Sequence, residues 1–340
     1  MQHEVTDVQK LLDKQGYVVT PGWARRPVWQ YNRENIAAPS FRIKEWDYYL
    51  IMNDNIGIAL TMDDNGYMGL MSISVLDFRE PKERTISKII PFTFGKIRFP
   101  NNSKRGKIEY KDDNCDFYFN VGNGKRQLHA FMKNFEDNHD ITIDIDIFDE
   151  PEESMVIATP FKKKYHFYYN QKINCMHAKG IVKLGNSITK INNAYATLDW
   201  GRGVWTYHNT WIWGSANGNI DGHDFGFNIG YGFGDTSAAS ENMLFYDGKA
   251  HKLEHITCHI PTKNNEDDFM SPWSITSSDK RFEMLFEPLI DRAACTDIKI
   301  IKSDQHQVFG YYTGDVILDD GTKIHIDRLL GFCEKVENKW

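Results

Sequence analysis

The residues best suited to chemistry lie between positions 195 and 242. Asp199 and Glu241 are carboxyl groups that can donate or accept a proton, and Arg202 is a fixed cation. Around them stand Trp200, Trp205, Trp211 and Trp213, each a large apolar face with one N–H donor. Glycines recur in the same stretch, first in Asp199-Trp200-Gly201-Arg202-Gly203 and then as Gly226, Gly230, Gly232 and Gly234. Glycine permits positive φ or close approach of another group to the backbone. Together these residues predict a strongly curved sheet wall lined by aromatic rings.

Each candidate has an architectural reading beside the chemical one. In the strand after Gly222, His223, Phe225, Phe227, Ile229, Tyr231 and Phe233 share one face, while Asp224, Gly226, Asn228, Gly230, Gly232 and Gly234 share the other. The nearly bare face leaves room for a ligand or for neighbouring indoles. The turn chemistry of Gly201 and Gly203 is expected to bring Arg202 back beside Asp199. That pair is either a structural bridge or a site where Arg202 holds a ligand oxygen while Asp199 moves a proton. Glu241, followed by Asn242, is either a proton donor raised by an apolar wall or a salt bridge. Asp291-Arg292 at a strand exit is either a further bridge or a further acid, and His306-Gln307, on the strand before Val308-Phe309-Gly310, offers either a hydrogen-bonded core histidine or further polar groups for a ligand.

Other chemistries find less support. Cys175 and His177 share a strand face but lack an orienting third group. His255 and His259 share a face without a clear third ligand, so no metal site is expected. Gly230-x-Gly232-x-Gly234 lacks the spacing and βαβ setting of a dinucleotide fingerprint, and no cofactor is expected.

The chain has 340 residues, 41% of them hydrophobic, with 40 basic against 47 acidic groups and a net charge of −7. That mild acidity argues against a dedicated nucleic-acid binder. Cys115, Cys175, Cys258, Cys295 and Cys333 are widely spaced and odd in number, which fits a reducing compartment better than a disulfide framework. The start, MQHEVTDVQK, carries acids and no apolar h-region, and no run is long enough to span a membrane. Cytoplasmic location without stable membrane insertion is therefore expected.

The elements that must position the site are strands. Ile141, Ile143, Ile145 and Ile147 alternate with Thr142, Asp144 and Asp146, the period of a half-buried strand. Short strands separated by Asp63-Asp64-Asn65-Gly66, Val121-Gly122-Asn123-Gly124, Asp247-Gly248 and Asp320-Gly321 predict antiparallel meanders. Tyr165–Ile173, Gly180–Leu184 and Ile298–Ile301 are expected as separate strands, and Ile108–Val121 as one. Val5, Val8, Leu11 and Leu12 have the spacing of a short N-terminal helix. Pro151, Glu152, Glu153 and Pro160 mark the expected domain boundary, giving barrels over 1–155 and 156–340.

Several of these residues also carry a family resemblance. The pieces are Gly22-Trp-Ala-Arg25, Lys44-Glu-Trp-Asp-Tyr48, Asp199 to Trp205, Trp211-Ile-Trp213, Asn228 to Gly234, Glu241-Asn242, Asp291-Arg292 and His306 to Gly310. Across about residues 20–335 the chain resembles the bacterial and fungal family known as domain of unknown function 2804. Thr206 departs from the pattern, which has proline after the tryptophan. The resemblance implies an all-β fold of two lipocalin-like (calycin) antiparallel β-barrels in tandem. It implies distant kinship with carotenoid hydratases and tocopherol cyclases, whose aromatic pockets accept an isoprenoid for acid chemistry.

These readings converge on a small apolar or amphipathic ligand held by Arg202, Trp205, Trp211, Trp213, Asn228, Asn242, His306 and Gln307. Asp199, Glu241 and Asp291 are the candidate catalytic carboxyls for hydration, isomerisation or cyclisation. A non-catalytic ligand carrier and a carbohydrate-active enzyme with paired carboxylates are the alternatives. The pocket is expected in the C-terminal half, mostly between residues 195 and 310, because that half concentrates the tryptophans and the bare glycine face.

Overall fold

A computed structural model describes residues 2–297 and 302–339. The predicted strand Ile298–Ile301 lies outside them. Two large antiparallel sheets account for the architecture, and no α-helix occurs among the described residues. The hairpins form where the sequence supplies residues that tolerate positive φ. Asn123 (φ 53°) with Gly124 (φ 71°) and Asp247 (φ 46°) with Gly248 (φ 78°) make two such turns.

The first sheet holds strands β1 (Gly22–Ala24), β2 (Ile43–Met52), β3 (Ile56–Asp64), β4 (Met68–Asp77), β5 (Lys82–Pro91) and β6 (Gly106–Lys111). It continues with β7 (Cys115–Gly122), β8 (Lys125–Glu136), β9 (His139–Phe148), β10 (Met155–Pro160), β11 (Phe167–Leu184) and β12 (Ser187–Val204). Its order is β5-β4-β3-β2-β12-β11-β9-β8-β7-β6, with β10 between β11 and β1. The sheet curls until its ends meet: Arg84 on β5 donates to the Phe135 carbonyl at the end of β8 (3.1 Å), and Lys88 pairs with Asp112 (2.9 Å). Alternation puts Tyr49, Leu60, Ile73, Phe117, Ile143 and Leu198 inside the curl.

The second sheet holds β13 (His208–Ile220), β14 (His223–Tyr231), β15 (Met243–Tyr246), β16 (Lys249–Lys252), β17 (Ile256–His259), β18 (Trp273–Ser277), β19 (Phe282–Asp297), β20 (Lys302–Ile317) and β21 (Lys323–Lys339). Its order is β16-β15-β14-β13-β21-β20-β19-β18-β17. Phe225, Phe227, Trp273, Phe286 and Tyr312 fill its interior. The fold is thus all-β, as the strand pattern predicted, and it is the tandem of lipocalin-like antiparallel barrels that the family resemblance implied.

Several local expectations are corrected. The chain leaves the first sheet after Val204 and enters the second at His208, rather than near residues 155 and 156. Residues 156–204 stay with the first sheet because β11 pairs β9 on one side and β12 on the other. The N-terminal arm is extended, not helical: Glu4 bridges Trp23, and Gln9–Lys10 pairs in parallel with Trp29–Gln30. Val5, Leu11 and Leu12 are buried there, whereas Val8 faces solvent, so the apolar stripe of a helix does not exist. The predicted strands on either side of Cys175 are one strand with a register shift between Ile173 and Met176, where Cys175 takes φ 58°. Conversely, Ile108–Val121 splits at a turn where Asp112 accepts the Asn114 and Cys115 N–H groups (2.8 and 2.9 Å).

The outer faces of the sheets pack together. Tyr48, Leu50, Met52, Leu76 and Phe78 of the first meet Trp213, Ile290, Phe309, Leu330 and Phe332 of the second. No helix among the described residues is long and apolar enough to cross a membrane. The five cysteines are free thiols.

Candidate functional site

Strand register lays two polar rows against each other across this interface. On the first sheet Lys172, Asp199, Tyr48, Thr61, Ser72 and Ser87 are direct cross-strand neighbours from β11 through β12, β2, β3 and β4 to β5. One row over, Trp46, Asp63, Leu70 and Ile89 share the same face. On the second sheet Trp213, Glu334, Gln307 and Arg292 are cross-strand neighbours from β13 through β21 and β20 to β19. All these side chains line one cavity of about 580 Å³.

The inner end of the cavity is an aromatic cage around acids. Phe233 makes edge contacts with Tyr168, Trp205 and Trp211, with ring centroids 4.7, 5.0 and 5.2 Å away. Trp46 stacks on Tyr168 and meets Trp205 edge-on. The Trp46 indole occupies the space over Gly201, where an added Cβ would fall 1.9 Å from the ring. Glycine is required at 201 for that close approach.

Lys172 organises the charges. Its Nζ lies 2.9 Å from Asp199 Oδ2, 3.9 Å from Glu241 Oε2 and 3.6 Å from the centroid of the Trp213 ring. Asp199 also accepts from Asn170 Nδ2 (2.6 Å). Glu334 accepts from Trp211 Nε1 and from Gln307 Nε2, each at 3.0 Å, and Gln307 in turn accepts from Tyr48 (3.3 Å). Lys172, Asp199, Glu241 and Glu334 are all buried.

Burial pushes the Glu334 carboxyl up to about 6, against the pull of the Trp211 N–H, Lys172 and Arg292. Burial also raises Glu241, opposed by Lys172 and helped by Asp199. Folding therefore favours the protonated form of Glu334. Its contribution to stability is complete below about 4.5 and is lost as pH rises through about 6. The rise from 4.5 to about 6 corresponds to about 2 kcal/mol. Urea unfolding between pH 4.5 and 7 should contain this component, and Glu334→Gln should remove it.

Of the residues singled out in the sequence, Asp199, Glu241, Trp205, Trp211, Trp213 and Gln307 meet at the cavity. Arg202 does not pair with Asp199. The two are three residues apart on β12, which runs unbroken to Val204, so they point to opposite faces. Arg202 is fully buried inside the first sheet, held by the Trp46 carbonyl (2.8 Å), the Gly201 carbonyl (2.8 Å) and Asp47 (3.1 Å). Asn228 and Asn242 act from behind the wall. Asn228 accepts from Trp213 Nε1 (2.7 Å) and donates to the Glu241 carbonyl (2.8 Å), while Asn242 ties Gly230 N–H to the Glu254 carbonyl. Asp291 accepts from His306 (2.7 Å), whose ring stacks on Phe269 at 3.9 Å, and neither lines the cavity.

The cavity's place also differs from the expected one. The second barrel is filled by its own aromatic core, and the opening lies between the two sheets, with the N-terminal half supplying Trp46, Tyr48 and Asp63. The bare glycine face is mostly occupied: an added Cβ at Gly226 would fall 2.7 Å from Cys175 Sγ, and one at Gly230 3.2 Å from Glu241 Oε2. Sequence reasoning missed Lys172, Tyr168 and Glu334, and it paired Arg292 with Asp291, whereas Arg292 lines the cavity and bonds Ser74. A signal existed in β11, where Asn170, Lys172 and Asn174 recur at every second position and so share one face of the strand. Cys175 is buried and its thiol is pushed up by burial, which suits packing rather than nucleophilic work. No group of three or more metal-ligating side chains occurs among the described residues.

Comparison with solved structures places the fold. A putative AttH from Nitrosomonas europaea superposes with a TM-score of 0.53 at 12% identity, covering 94% of this chain and 99% of that one. Kievitone hydratase from Nectria haematococca aligns over 98% of both chains at 10% identity, with a TM-score of 0.48. CghA with Sch210972 aligns over 87% of this chain and 88% of its own at 9% identity, with a TM-score of 0.42. The first likeness establishes a shared fold and carries no chemistry with it. No curated protein matches the sequence. The family model for domain of unknown function DUF2804 matches residues 2–340, and the chain belongs to that family.

Proposed function

We propose that the cavity binds a small apolar or amphipathic molecule and catalyses proton-initiated hydration, isomerisation or cyclisation of a carbon–carbon double bond. The observation that carries this reading is the cluster of three buried carboxyls around Lys172 at the aromatic end of the cavity. Glu334 is the proton donor in this scheme, because a carboxyl near 6 keeps a usable protonated fraction close to neutral pH. Its proton adds to one alkene carbon. The cation left on the other carbon lies beside Trp211 and Trp205, whose ring faces stabilise positive charge, while Lys172 occupies the face of Trp213. Capture by water gives hydration, attack by a second double bond gives cyclisation, and loss of a neighbouring proton gives isomerisation. Asp199, held by Lys172 and Asn170, stands ready to take that proton or one from the incoming water.

The buried inner end favours this over glycoside cleavage, whose paired carboxylates work across a water-filled cleft. Mass spectrometry of the purified protein incubated with isoprenoid alcohols and acids tests the reading. The expected result is a product shifted by the mass of water, or an isomer separable by chromatography. Recovery of every bound compound unchanged, at all pH values between 5 and 8, would instead mean a carrier.

A further inference from the structure

We propose that the cavity's ligand is an amphipathic acid, which enters apolar end first and leaves its anionic head on Arg292 at the mouth. The inference rests on the reading of the cavity as a ligand site and adds the ligand's polar class and orientation.

The cavity has two unlike ends. Its inner end is formed by the buried Lys172, Asp199, Glu241 and Glu334. Its outer end is formed by Thr85, Ser87 and Ile89 of β5 and by Ala293 and Ala294 of β19, all exposed. Arg292 lies at the outer end, half-buried, where β19 crosses the face of β4 and β5. Its Nη1 donates to Ser74 Oγ at 2.7 Å, and that oxygen also lies 2.8 Å from Thr85 Oγ1. Its other N–H groups have no acceptor among the described residues, and no carboxylate there lies within ion-pair distance of it.

The acids near Arg292 are engaged elsewhere. Asp291 is bound to His306 (2.7 Å), Glu334 to Trp211 and Gln307 (3.0 Å each), and Glu83 takes the Thr85 hydroxyl (2.9 Å). An arginine fixed by one nitrogen, with its remaining donors open to a cavity, fits the two oxygens of a carboxylate. Thr61, Ser72 and Ser87 continue a hydroxyl row along the opposite wall, which suits a polar head better than the aromatic inner end does. Trp213 and Arg292 are separated by the strands of Glu334 and Gln307, so their backbones stand about 14 Å apart. A medium-chain acid spans that distance with its tail in the cage.

The test titrates decanoate and decanol into the full-length protein, following tryptophan fluorescence and heat. The unmutated protein is expected to bind decanoate at least roughly tenfold more tightly than decanol. Arg292→Gln should abolish that preference while leaving decanol affinity within about twofold. Arg292→Lys, which keeps the charge but not the fork, should retain part of it. Equal affinities in the unmutated protein overturn the proposal and leave the ligand-site reading standing, as does a preference that survives unchanged in both variants. Failure of both compounds to bind at millimolar concentration overturns the two together. The acid–alcohol comparison on the unmutated chain depends on no variant folding.

Discussion

Lys172→Met is expected to destabilise the fold by roughly 3–5 kcal/mol at pH 7. The substitution keeps most of the side-chain volume, so the loss is electrostatic rather than a cavity effect. Lys172 is buried within 2.9 Å of Asp199 and 3.9 Å of Glu241, and its charge also lowers Glu334. Without it three buried carboxyls face one another, and the nearest remaining cations, half-buried Arg292 and Lys252, make no ion pair with any of them. Its contact with the Trp213 ring is lost as well. The deficit should shrink as pH falls, because protonation removes the repulsion. Lys172→Met combined with Asp199→Asn should recover much of it. Urea unfolding at pH 7 and pH 5 checks both points. A cost below about 1 kcal/mol at pH 7 would mean that water screens the cluster and that its acids are not held in a dry wall.

Glu334→Gln is expected to lower turnover by roughly 10²-fold or more, with ligand affinity nearly unchanged. The glutamine carbonyl can still accept from Trp211 or Gln307, so the wall stays in place while the transferable proton is gone. In the unmutated protein the rate should fall as pH rises above about 6, following the protonated fraction of Glu334. The variant should lose that limb. Asp291→Asn serves as the control, since Asp291 is bonded to His306 away from the cavity and its replacement should leave turnover intact. If Asp291→Asn were the variant that lost activity, the acid would have been assigned to the wrong carboxyl. Conversion measured on the substrate found by mass spectrometry separates these cases.

The sequence by itself determined the β-rich character of the chain, hairpin turns such as Asn123-Gly124 and Asp247-Gly248, and the aromatic character of the site. Alternating isoleucines in β9 and Asn-Gly or Asp-Gly at the turns are local signals, because side-chain period and turn dihedrals depend on neighbours in the chain. Asp199, Glu241, Trp205, Trp211 and Trp213 stood out through residue type alone. Even the separation of Arg202 from Asp199 was readable, since residues three apart on a strand face opposite ways, but the flanking glycines suggested a turn instead. Those glycines serve close packing: Gly201 lies under Trp46 from β2. Only the tertiary structure decided where the cavity lies. Period-two alternation marks two faces of a strand without saying which meets solvent, a core or a second sheet. The row from Lys172 to Ser87 spans six strands, and its members meet only through non-local register. Lys172 reads as a surface lysine until β12 places Asp199 beside it and the second barrel closes over both. Glu334 and Arg292 become part of the same site only because β13, β21, β20 and β19 lie in that spatial order, which no local segment encodes.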